Sequence, residues 1–114
     1  MILVLNNIRS VYNVGSIFRT ADAAGIEKIY LCGYTPAPVD RFGIPRKDLA
    51  KVALGAEKII PWVQVKTLAT AIKQLKKDGY TVAAVEQDKK SIPLFTFKAP
   101  RKLALVLGNE VRGL

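Results

Sequence analysis

The sequence predicts an α/β fold: a mainly parallel sheet of about five strands with flanking helices. Two observations predict it. Short apolar runs, each suited to a buried strand, alternate along the chain with segments whose apolar residues recur at helical spacing. The 114 residues, half of them apolar, suit one compact domain with a real core, so 1–114 is read as a single unit.

MILVLNN opens the chain as a buried strand. NVGSIFRTADAAG follows as a helix, because Val14, Ile17, Phe18 and Ala21 fall at i, i+3, i+4 and i+7 and make one stripe. Asn13 is its expected N-cap, and Gly25 stands where a C′ residue belongs. KIYLCG is the second strand. YTPAPVDRFGIP carries three prolines and a glycine and reads as a loop. RKDLAKVALGAEK reads as one helix, with Leu49, Val52, Ala53 and Ala56 at helical spacing and Pro45 suited to its first turn. WVQV is a short strand. TLATAIKQLKKDG is a helix that buries Leu68, Ala71, Ile72 and Leu75 and ends at Gly79. YTVAAVEQ is a strand, DKKSIPLFTFKAPR an extended connection, and KLALVLG a final buried strand. The expected content is therefore about five strands and three helices.

Composition excludes several classes. The apolar runs are too short to span a bilayer. MILVLNNIRS has neither a basic n-region nor a small-residue cleavage site, so a cytoplasmic protein without membrane attachment is expected. A single cysteine, Cys32, leaves no internal disulfide and no thiolate-built zinc site. With no histidine, the usual general base, metal ligand and nucleophile partner are missing, and no metal is expected. Neither G-x-G-x-x-G nor G-x-x-x-x-G-K-[ST] occurs. Eighteen Lys and Arg against nine acids give a net charge of +9. Such an excess points to a polyanion such as RNA or to a merely solvated basic surface, and both readings are open.

Two segments carry candidate chemistry. In NNIRSVYNVGSIFRTADAAGI, Asn13 stands at a helix entrance whose free N–H groups favour an anion. Arg19 projects off the apolar stripe. A polar entrance and a nearby guanidinium can hold a phosphodiester; equally, the two can be an ordinary cap and an ordinary solvated arginine. In LVLGNEVRGL, the last strand delivers Gly108, Glu110 and Gly113 into a glycine-bounded turn. Open α/β sheets bind ligands beyond the carboxyl ends of their strands. Because the chain stops just after this turn, the sequence is expected to be a fragment lacking a closing loop and helix. Cys32 reads as a buried strand residue. Tyr12, Trp62 and Phe95 read as core or subunit-contact residues. Of the basic pairs, Arg46-Lys47, Lys76-Lys77, Lys89-Lys90 and Arg101-Lys102 can track phosphates or be solvated.

Together, NVGSIFRTADAAG and LVLGNEVRGL resemble motifs 1 and 2 of the SPOUT-class, TrmH-like RNA 2′-O-ribose methyltransferases, in the order that family has them. KVALGAEKIIPW is similar to its connecting region. The resemblance implies an α/β domain with a C-terminal trefoil knot, S-adenosylmethionine as cofactor, tRNA or rRNA as substrate and a homodimer whose motif 1 completes the partner's site. It implies Asn13, Arg19 and Glu110 as catalytic residues, and Leu107, Gly108, Asn109 and Gly113 beside the cofactor. Arg9, Arg19, Arg46 and Lys47 would contact RNA. Motif 3 has no counterpart, so the knot and cofactor pocket are expected to be incomplete in this chain. The alternatives are a non-catalytic basic RNA-binding module and, against the charge, a flavodoxin-like small-molecule binder.

Overall fold

A computed structural model describes residues 1–85 and 101–109. Within them, five strands form one parallel sheet in the order β3-β2-β1-β5-β4. The strands are β1 (Ile2–Asn6), β2 (Lys28–Cys32), β3 (Trp62–Val65), β4 (Thr81–Val85) and β5 (Leu103–Leu107). From β1 the chain winds outward through β2 to β3, crosses to the far edge at β4, and returns to place β5 against β1. The winding therefore reverses between β1 and β5, where Leu5 is in register with Leu107.

Alternation along the strands sorts two apolar layers. Leu3, Leu5, Ile29, Leu31, Leu103 and Leu105 point to one face. They pack against Val14, Phe18 and Ala21 of α1 (Val11–Ala24), Leu49 and Ala53 of α2 (Lys47–Ala53) and Ala56 of α3 (Ala56–Ile59). Ile2, Val4, Tyr30, Cys32, Ala104 and Val106 point to the other face, under Ala71 and Leu75 of α4 (Leu68–Lys77). Strands buried on both sides explain why their sequences read as continuous apolar runs.

Three expectations are corrected. The N-cap of α1 is Ser10, whose side chain accepts the Asn13 N–H at 3.1 Å, and Asn13 lies one turn inside the helix. Both residue types cap well, and the helix takes the earlier one. The segment read as one helix is two, α2 and α3, because Leu54 (φ 52) and Gly55 (φ 90) are both left-handed. Glycine adopts that conformation freely; leucine there broke the pattern that periodicity implied. Pro45 is not in a helical turn but pairs with Val39 in an isolated antiparallel bridge, and Arg46 precedes α2 without a side-chain cap. At the other helix ends the reading holds: Gly25 (φ 72) closes α1 and Gly79 (φ 87) follows α4. The end of YTVAAVEQ, and nearly all of DKKSIPLFTFKAPR, lie outside the described residues.

Candidate functional site

The carboxyl ends of β1, β2 and β5 are tied together by side-chain hydrogen bonds. Asn7 follows β1 in the left-handed region (φ 56), which asparagine tolerates better than most residues. There its N–H donates to the Cys32 carbonyl at 3.2 Å and its Oδ1 accepts the Tyr34 N–H at 3.2 Å. From the end of β5, Asn109 Nδ2 donates to the Asn7 carbonyl at 3.0 Å and to Tyr34 Oη at 2.9 Å. Thr35, a polar residue only 2% exposed, sits beneath. Its Oγ1 accepts the Ile8 N–H at 3.1 Å and lies 2.8 Å from the Cys32 carbonyl and 3.1 Å from that of Leu5. Gly33 is left-handed (φ 63), and a Cβ there would stand 1.9 Å from Asn7 Oδ1, so any other residue would push that side chain off the Tyr34 N–H. This is the crevice that a doubly wound sheet opens where its strand order reverses.

Leu107, Gly108 and Asn109 are half-buried at its mouth. Arg9 is exposed on the link from β1 to α1. Arg46 is half-buried and Lys47 exposed, both at the start of α2. Glu110 and Gly113 lie outside the described residues, as do Phe95 and Lys89-Lys90.

Arg19 stands in the middle of α1. It lines a groove of ≈ 610 Å³ between α1 and α2, with Val11, Tyr12, Asp48, Lys51, Val52 and Leu54. The helices approach closely here because Gly15 faces α2: a Cβ on it would lie 2.9 Å from the Leu49 carbonyl oxygen. Tyr12, 66% exposed, stands seven residues before Arg19 and so on nearly the same side of α1. Asn13 does not line this groove. Six residues separate it from Arg19, which on a regular helix means roughly 9 Å along the axis and about 120° around it. The groove therefore presents Arg19 without Asn13. Cys32 is fully buried, and burial pushes its thiol up to about 11, so it stays an inert core residue. Trp62 is half-buried against the core, whereas Tyr12 is open to solvent.

Sequence reasoning missed Thr35, Tyr34 and the Tyr12–Lys51–Leu54 groove, all of which depend on long-range packing. Asn7 did leave a signal, an Asn-Asn pair directly after an apolar strand. Among the described residues no cluster of acids, cysteine and histidine could hold a metal ion, and no helix is long and apolar enough to cross a membrane.

A parallel sheet with helices on both faces, whose strand order reverses between β1 and β5, defines a doubly wound α/β domain. The chain belongs to the SpoU rRNA Methylase family, whose model matches residues 1–114. It is 33% identical over 113 residues to a Staphylococcus haemolyticus protein named for the TrmH family of tRNA/rRNA methyltransferases, covering 99% of this chain and 43% of that one. It is 31% identical to a 23S rRNA (guanosine-2′-O-)-methyltransferase RlmB of Neisseria meningitidis, over 100% of this chain and 43% of that one. Among solved structures, the AdoMet-bound rRNA methyltransferase of Sinorhizobium meliloti superposes with a TM-score of 0.83 at 28% identity, over 99% of this chain and 41% of that one. The chain thus spans less than half the length of these relatives.

Proposed function

We propose that the full-length protein transfers a methyl group from S-adenosylmethionine to a ribose 2′-hydroxyl of tRNA or rRNA, acting in the cytoplasm as a homodimer. The observation that carries this reading is the crevice between β1 and β5, latched by Asn109 onto Asn7, in a chain whose whole length matches the family.

The crevice suits an adenosine-bearing cofactor. Leu107 offers a half-buried apolar surface at the end of β5, and Gly108 and Asn109 bring backbone donors and acceptors to the switch point. With Glu110 and Gly113 they are the residues that would hold it. When bound, the sulfonium supplies an activated methyl group to a nucleophilic oxygen. The protein's part is positioning and charge. Arginine side chains stay cationic throughout the working pH range of proteins. Arg19 therefore clamps the substrate phosphate and stabilises negative charge growing on the 2′-oxygen, and that phosphate accepts the hydroxyl proton. Arg9, Arg46 and Lys47 add phosphate contacts, and Asn13 orients the start of α1 toward the RNA.

One feature of the geometry supports the homodimer reading. Arg19 lines the α1–α2 groove, and none of the crevice residues Asn7, Gly108 and Asn109 lines it. On this reading the guanidinium and the cofactor crevice of one chain are separate openings. A second chain can set its own Arg19 against the crevice of the first, and a two-fold axis makes both sites at once.

Transfer of radiolabelled methyl groups into RNA, with the product mapped as a 2′-O-methyl nucleoside, tests this activity. Arg19→Lys is expected to lose about 10²–10³-fold in rate, the usual cost of removing one preorganised electrostatic donor. Retention of most activity would remove the role assigned to Arg19. Calorimetry with S-adenosylmethionine separates the enzyme from a non-catalytic RNA-binding module, which would retain RNA without taking up the cofactor.

A further inference from the structure

Between β2 and α2 the chain makes an excursion from the same sheet edge that carries the crevice. Its outer part is a tight hairpin closed by the Val39–Pro45 bridge. Asp40 organises the tip. Its N–H donates to the Ile44 carbonyl at 2.9 Å, its carbonyl accepts the Gly43 N–H at 2.9 Å, and its Oδ1 accepts the N–H groups of Phe42 at 2.8 Å and Ile44 at 3.1 Å. The Arg46 N–H, bonded to the Pro38 carbonyl at 2.8 Å, secures the base. Held in this way, Phe42 is 72% exposed and Ile44 58% exposed. The Arg41 guanidinium lies over the Phe42 ring, 4.8 Å from its centroid.

Charge identifies the occupant. Among the described residues no ion pair engages Arg41, Arg46 or Lys47, and the Asp40 carboxylate is already shared by two amides. The tip is thus an exposed aromatic ring with one guanidinium over it, on a chain of net charge +9. That combination suits nucleic acid, where bases stack on aromatic rings and guanidinium groups hold the adjoining phosphates. A second copy of this chain suits it poorly, because an isologous contact through the tip would bring like charges together.

We propose that the 40–44 hairpin is a substrate-reading finger: an unpaired RNA base stacks on Phe42 while Arg41 holds a neighbouring phosphate. The inference rests on the RNA-modifying function proposed for the full-length protein and adds to it a preference for RNA with a single-stranded element. Rigidity matters for such a finger, since a preformed tip loses little conformational freedom on binding.

The test uses the full-length protein and two fluorescein-labelled probes: a stem–loop RNA with an all-uridine loop, and a loopless duplex of the same stem. Anisotropy should show Phe42→Ala and Phe42→Leu weakening stem–loop binding by roughly 5- to 100-fold, the range expected for one lost base–aromatic stack. Phe42→Trp should bind at least as tightly as the wild type, with tryptophan emission quenched by the stem–loop and not by the duplex. All three variants should bind the duplex as the wild type does. Unchanged stem–loop binding by Phe42→Ala overturns the finger and leaves the RNA reading intact. Wild-type protein that retains neither probe at low salt overturns both. If Phe42→Leu keeps full affinity while Phe42→Ala sediments as a smaller species, the tip is a protein contact and the inference fails.

Discussion

Asn109 Nδ2 stands 3.0 Å from the main-chain oxygen of Asn7, joining the ends of β5 and β1 across 102 residues of chain. Register brings the two strand ends together: Leu5 opposes Leu107, and Asn7 and Asn109 each lie two residues beyond that pair. The bond closes the crevice on the side where the strand order reverses. Asn109→Asp exchanges the donor for an oxygen facing a carbonyl oxygen. A stability loss of about 1–3 kcal/mol is expected in urea unfolding, because an acceptor is left unmade and two like dipoles meet. Tyr34→Phe removes only the second bond from Asn109, and its cost should not exceed about 1 kcal/mol. Equal losses in the two variants would mean that the main-chain bond contributes little.

Gly15 sets the distance between α1 and α2. Alanine in a helix interior normally gains about 1 kcal/mol over glycine. At this position the added Cβ would lie 2.9 Å from the Leu49 carbonyl oxygen and 3.0 Å from Val52 Cβ. Backbone does not yield as a side-chain tip does, and overpacking of this kind costs about 1–3 kcal/mol. Gly15→Ala should therefore be destabilising, and it should splay the groove that presents Arg19. Gly25→Ala is the matched comparison. A Cβ there meets nothing, and the cost comes from its positive φ alone. Thermal melts of both, together with methyl transfer by Gly15→Ala, check the distinction. A Gly15→Ala protein as stable and active as the wild type would show that the close approach is not needed.

These sites also show where the sequence stopped being informative. The two-sided burial of β1, β2 and β5 left continuous apolar runs, and the single buried stripe of α1 or α4 left a helical period; each signal is local and survives in the letters. Leu54 gave no warning of its left-handed conformation, since leucine is ordinarily a helix former. Ser10 and Asn13 are both good caps three residues apart, and composition alone does not choose between them. Arg19 was legible as an exposed side chain. Its place in a groove between α1 and α2 was not, because that depends on how the two helices cross. Thr35 was invisible for a related reason: the three groups it serves come from β1, its exit and β2, and only the folded sheet brings them within 3.1 Å.

Cys32 supplies a pH dependence. Burial raises its thiol from an ordinary value of 9.0 to about 11. The folded state therefore favours the neutral thiol. The associated stability is fully present below about pH 9 and is lost as pH rises toward 11, where the unfolded chain gains from ionising and the folded one does not. Lysines and tyrosines titrate in the same range, so the informative quantity is a difference. The gap in unfolding free energy between wild type and Cys32→Ala should narrow from pH 8.5 to pH 10.5, as wild type loses this contribution and the variant has none to lose. A gap that stays constant across that window would mean that the thiol is solvated in the native state. Native protein should likewise resist alkylation at neutral pH until it is unfolded.

Division of the site between two chains makes the sharpest prediction. Arg19→Ala removes the guanidinium, and Asn109→Asp alters the crevice; each homodimer is expected to be at least 10²-fold less active than the wild type. Co-expression with two different affinity tags allows the mixed dimer to be purified. If Arg19 of one subunit serves the crevice of the other, one site in the mixed dimer joins both lesions and the second joins neither. Its activity should then return to roughly half that of the wild type. If each chain uses its own Arg19, every site carries a lesion and the mixed dimer stays as inactive as its parents. The design also reports on assembly, because subunits that do not associate cannot be recovered on both tags. Recovered mixed dimers without restored activity would refute the division, and with it the need for a second chain to complete each site.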